Sequence, residues 1–160
     1  MAIALMTLAL MGTVALLGTV VLGYAESGAS VALRRHFLAG LGSTTLLVMA
    51  HSFIMFFLLA TGVELKNLER ERGWGQSFRK RTLAIKAQVF PAMSAALLLV
   101  IANFILGAAA HTRVLPVWAH EGLAWLTVTA CVATLWLEVQ ALGRTNALIL
   151  EAGRRRAGQP

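Results

Sequence analysis

The sequence predicts an all-α integral membrane protein: a four-helix transmembrane bundle, up-down-up-down, with both termini cytoplasmic. Three observations predict it. The 160 residues are 58% hydrophobic and only 13% charged, with a mean hydropathy of +0.74, and a soluble domain carries about 25% charged residues. Four runs free or nearly free of charge are each long enough to cross a hydrocarbon layer, which takes about 20 residues. The basic residues are unevenly shared between the links that separate those runs, which sets an orientation.

The first run, residues 2–24, has a signal peptide as its competing reading. No Lys or Arg precedes the run and it outlasts an h-region of about 7–15 residues, so a retained helix is expected. Tyr24 ends it, where an interfacial aromatic belongs. A short polar link leads to the second helix, residues 37–65, whose stretch Phe37–Val63 carries no Asp, Glu, Lys or Arg and has one ionisable side chain near its centre, His51. The basic link 64–83 follows. Its first half mixes signs at Glu64, Lys66, Glu69, Arg70 and Arg72 as a solvated helix face does, and Gly73 and Gly75 then break it, with Trp74 at the interface.

The third helix, residues 84–110, holds Pro91 about two turns inside, where it frees the carbonyl of Ala87. The fourth, residues 117–142, carries Glu138 and Gln140 near its end, and the tail 143–160 contains a short amphipathic stretch, 145–151, before Arg154, Arg155 and Arg156. The whole chain reads as a single transmembrane domain. Eleven basic residues fall on the side of the 64–83 link and the tail. Only Arg34, Arg35 and Arg113 fall on the other. The positive-inside rule then places both termini in the cytoplasm of a multi-pass protein of the bacterial cytoplasmic (inner) membrane.

Several function classes are excluded. The net charge of +7 sits in links and tail, as topology determinants do, and not on a nucleic-acid face. The basic segments suit anionic lipid headgroups or a larger partner, either other subunits of a membrane complex or a second copy. One cysteine, Cys131, allows neither an internal disulfide nor a cysteine metal cluster. The complete lack of aspartate removes EF-hand and Walker-B chemistry. No G-x-S-x-G, P-loop, C-x-x-C or H-E-x-x-H motif occurs, and four helices without charged cores make a poor solute pathway.

The histidines carry the remaining chemistry. His36, His111 and His120 fall at helix ends on the outer side, where a bundle brings side chains within reach of one another. Imidazole is the commonest metal ligand and an axial ligand of haem. One haem b near the outer face is expected, with His36 as one ligand and His120 or His111 as the other. Arg34, Arg35 and Arg113 would pair with its propionates. A non-haem metal on His36, His120 or His51 is an alternative, and ordinary interfacial histidines are the plainest reading. The segments opening at His36 and His120 are alike with one gap, which two unrelated apolar helices also produce.

His51 lies 15 residues beyond His36, about four turns and roughly 22 Å along one helix. That spacing resembles the dihaem membrane cytochromes b, in which one helix ligates a haem near each face. The likeness implies an inner haem at His51, but the chain shows no matching histidine for it; Met93 or a partner subunit would have to serve. Quinone hydrogen bonding, a proton relay, or a neutral histidine bonded to a Ser, Thr or backbone group are the other readings. Glu138 is expected to reach water or pair with Arg144 near the inner boundary, with a proton or quinone role as the alternative. Gln88, Asn103 and Gln140 are expected to join helices, and Gly40 and Gly42 to permit close packing. The function expected is an electron-transfer subunit exchanging electrons with quinone or a partner redox protein; a non-catalytic accessory subunit binding lipid, pigment or protein is the second reading.

Overall fold

A computed structural model of the chain describes residues 1–25 and 30–158. Among them there are four helices and no strand: α1 (Ala2–Ala25), α2 (Ser30–Arg72), α3 (Ser77–His111) and α4 (Val117–Arg156). All four are long and apolar enough to cross a membrane. Their outward faces are apolar as well, with Phe56, Leu98, Ile105 and Trp136 all exposed. In water such a surface would be an aggregation hazard; in hydrocarbon it is the expected one.

α1 packs against α2 and α4, α3 packs against α2 and α4, and α2 also touches α4. α2 and α4 therefore form the short diagonal of the bundle. The contacts fix the register along it. Thr19 meets Ser43 and Gly12 faces Leu47 between α1 and α2. Phe37 stacks on Phe104 between α2 and α3. Thr127 reaches Leu99 and Thr134 reaches Ala92 between α4 and α3. The buried side chains divide into two clusters. One holds Leu16, Val20, Leu47, Val100 and Cys131; the other holds Leu5, Ile54, Phe78, Met93 and Leu148. The division falls between Leu47 and Ala50 on α2 and between Cys131 and Ala141 on α4. His51 and Glu138 stand at that seam.

The helices outrun the apolar stretches. α2 has 43 residues, α3 has 35 and α4 has 40, so each measures about 50–65 Å against a hydrocarbon core of about 30 Å. Most of the 64–83 link and the tail is helix. The expectation that Glu69 lies on a solvated face is corrected. Glu69 is buried, and its carboxylate accepts the backbone N–H groups of Phe78 and Arg79 at the start of α3. Gln76 offers that helix no side-chain cap, so Glu69 supplies one from the neighbouring helix, at the positive end of the α3 dipole. The turn between them holds Gly73 and Gly75 at φ 66° and 79°, a region glycine enters freely. Phe78 is fully buried beneath Trp74, with the guanidinium of Arg155 5.1 Å above its ring. Arg81 bonds Glu151 at 2.6 Å. Three helices are thus knit together beyond the apolar runs, where a solvated helix face and a basic link were expected.

Candidate functional site

Both polar contacts of interest lie on the α2–α4 diagonal. The outer one joins His36 and His120. α2 begins at Ser30, so His36 lies nearly two turns inside the helix and not at its mouth. Its ring centroid is 6.4 Å from that of His120, with the planes at 82°. His36 Nδ1 lies 3.1 Å from the carbonyl oxygen of Thr19 on α1. A carbonyl only accepts, so Nδ1 carries the proton, and whenever the ring is neutral Nε2 holds the lone pair. A hydrogen bond of this kind from the far nitrogen orients a metal-binding histidine.

Each ring rests against a glycine of an adjacent helix. A Cβ on Gly23 of α1 would stand 3.0 Å from His36 Cε1, and one on Gly107 of α3 would stand 2.9 Å from His120 Cε1. No larger residue fits either position without moving a histidine. His120 Nδ1 is enclosed and has no partner. Asn103, one turn from Gly107 on α3, likewise keeps a buried, unpartnered Oδ1.

Two imidazoles bound axially to one metal at about 2 Å each place their ring centroids about 6.3 Å apart. The separation of His36 and His120 is close to that spacing; the two rings meet edge to face, His120 with its Cε1–Nε2 edge against Gly107. The anchored Nδ1 of His36 fits as well; the unpartnered Nδ1 of His120 is the one feature that lacks its usual acceptor. His111, the other expected ligand, is exposed at the last residue of α3 and takes no part in this contact. Arg34, Arg35 and Arg113 are exposed, the first two in the opening turns of α2 and the third in the α3–α4 link with φ 60°. Among the described residues no three His, Cys, Asp or Glu side chains converge on one point.

The inner contact joins His51 and Glu138, 2.6 Å apart between Nδ1 and Oε1, each side chain 1% exposed. This corrects two readings. The partner of His51 is a carboxylate and not a Ser, Thr or backbone group. Glu138 neither reaches water nor pairs with Arg144, which instead donates to Gln88 and Gln140. The core is therefore not free of ionisable groups. His51 Nε2 and Glu138 Oε2 are both buried without a partner. Met93 is fully buried in the cluster that contains Ala50 and Ile54.

The pairing had a signal in the sequence. Aligning His36 with His120 sets residue 51 opposite residue 135, and Glu138 is one turn deeper. Helical Cα–Cβ bonds tilt toward the N-terminus, so a long side chain at 138 reaches back to the depth of 51. Gly23 and Gly107 gave no such signal, because a tight glycine and a loose one look alike in an apolar run. Gly42, expected in close packing, meets nothing within 4 Å and lines an open groove instead.

Comparison with protein families, with curated proteins and with solved structures finds no match. Function must be argued from the chain's own chemistry.

Proposed function

We propose that this chain is an integral-membrane electron-transfer subunit that binds haem b between His36 and His120 near the outer face and exchanges electrons with a membrane quinone or a partner redox protein. The observation that carries the reading is the 6.4 Å separation of the two rings, at 82° to each other, on facing helices. The proposal includes an up-down-up-down arrangement in a bacterial inner membrane with both termini cytoplasmic. The contacts that pair the end of α1 with the start of α2, and the eleven-to-three split of basic residues, support it.

In this reading His36 and His120 would be the residues that hold the haem. Thr19 holds the tautomer of His36, and Gly23 and Gly107 let both rings lie flush against the neighbouring backbones. Arg34, Arg35 and Arg113, at the same end of the bundle, offer cations to propionates. The haem, when bound, supplies one-electron redox chemistry.

One observation favours the second reading, an accessory subunit that binds lipid or a pigment. An open groove of about 770 Å³ runs between α1 and α2, lined by Val14, Gly18, Val21, Ala39, Gly42 and Leu46, and it suits an apolar chain. A dithionite-reduced minus air-oxidised spectrum of the purified protein, with a pyridine haemochrome assay, separates the two. The haem reading expects a sharp reduced α-band, about one haem per chain, and loss of both in His36→Ala and in His120→Ala. A flat spectrum from folded protein made with haem in supply ends that reading and leaves the accessory one.

A further inference from the structure

The inner pair is not needed to ligate the outer haem, yet it is the most costly feature of the core. Two ionisable groups are held away from water in a span whose buried threonines are satisfied by backbone carbonyls. Thr13 bonds Ala9, Thr127 bonds Leu123 and Leu99, and Thr134 bonds Ala92. Burying an ion pair seldom stabilises more than apolar side chains of the same volume would. Ionisable groups within membrane helices are therefore functional candidates. A purely structural pair would also close its remaining valences, because an unpartnered buried polar atom costs about 1–3 kcal/mol. Here both outward atoms, Nε2 of His51 and Oε2 of Glu138, are left open.

We propose that His51 and Glu138 form an intramembrane proton relay whose open terminals are Nε2 and Oε2. At rest the pair is neutral overall, as imidazolium with carboxylate or as imidazole with carboxylic acid, the two forms differing only in which side of the 2.6 Å Nδ1–Oε1 contact holds the proton. A proton leaving Nε2 takes the pair from imidazolium–carboxylate to imidazole–carboxylate. A proton arriving at Oε2 then restores neutrality as imidazole with carboxylic acid. One proton has entered at Oε2 and one has left at Nε2, with no other co-reactant; the ring then stands as its Nδ1–H tautomer, and a further passage requires the Nε2–H tautomer to be restored.

The surroundings leave the titration to this pair. α1 has no charged side chain in its whole length, only the Tyr24 hydroxyl at its far end. On α2 the nearest ionisable groups are His36 and Glu64, and on α3 they are Lys86, whose ammonium lies against Gly62, and His111. On α4 they are the Cys131 thiol, two turns from Glu138, and Arg144, which is held by Gln88 and Gln140.

The test is infrared difference spectroscopy of the full chain in lipid nanodiscs, stepped between pH 5 and pH 8, with ¹³C-glutamate labelling to mark glutamate bands in the wild type. The relay expects a protonated-carboxyl C=O band that changes across the step, shifts in D₂O and on labelling, disappears in Glu138→Gln and moves in His51→Gln. The apolar double variant His51→Leu/Glu138→Leu should fold and lack the band. The band should persist in His36→Ala, so failure of the haem reading leaves this result untouched. A folded wild type with no pH-dependent glutamate band, or with one that survives in the double variant, overturns the relay. Should Glu138→Gln fail to fold, the labelled wild type and the double variant still decide.

Discussion

The backbone of Gly107 lies directly against the ring of His120, so that a Cβ added there would stand 2.9 Å from Cε1. Gly23 and His36 repeat the relationship on the opposite side of the diagonal at 3.0 Å. Gly107→Ala must therefore push the imidazole. Overpacking of this kind costs about 1–3 kcal/mol, seen as a lower unfolding temperature in detergent; in haem-loaded protein the α-band and midpoint potential should shift as well. Gly23→Ala should do the same to a smaller extent. Gly42→Ala, which meets open space, is the control and should not destabilise. Equal losses at Gly42 and Gly107 would count against a packed histidine.

A double-mutant cycle should expose the inner pair. Removing one partner of a buried ion pair strands the other, at a cost of about 3–5 kcal/mol. His51→Leu and Glu138→Leu should each destabilise on that scale, while the double variant should recover most of the loss and come close to wild type. Coupling appears as strong non-additivity in unfolding free energies measured in one detergent. Additive single effects would mean that the 2.6 Å contact carries no energy.

The four apolar runs were plain in the sequence because membrane-spanning segments are set by local composition, which needs no knowledge of neighbours. The link 64–83 misled for the opposite reason. Its mixed charges are those of a solvated face, but Glu69 is turned inward by the N–H groups of α3, a tertiary fact that charge patterning does not contain. His36 and His120 were legible as a pair since both open helices on one side. Between His111 and His120 the choice depended on how far each helix extends, and the sequence leaves helix ends poorly fixed. Glu138 was judged by its distance from a presumed boundary. Its actual partner depends on the register between two helices that are not adjacent in sequence.

Cys131 is fully buried and free, two turns from Glu138 on α4. It should resist a water-soluble maleimide in folded protein and react fully once the bundle is unfolded, as mass spectrometry would read. Labelling should then track global unfolding and not local fraying, since a residue at the seam of both core clusters opens only when the bundle does. Rapid modification of folded protein would contradict the packing of α4 against α2 and α3.

Glu69 gives the last prediction, at the end of the bundle farthest from the histidines. Its two carboxylate oxygens satisfy the N–H groups of Phe78 and Arg79, donors that the helix itself leaves open. Glu69→Ala removes a cap, worth about 0.5–2 kcal/mol, and leaves one buried and one part-buried donor unpaired, so the loss should fall at the upper end of that range. Glu69→Gln keeps one acceptor oxygen and should recover part of it. The exposed pair Arg81–Glu151 makes the comparison sharp. Its contact is as short, at 2.6 Å, yet exposed pairs contribute only about 0–1 kcal/mol, so Glu151→Ala should cost much less than Glu69→Ala. Hydrogen exchange should localise the Glu69→Ala effect to the first turn of α3. If Glu151→Ala proved the more damaging, the three helices would be held at this end by surface charge, and the buried cap would be incidental.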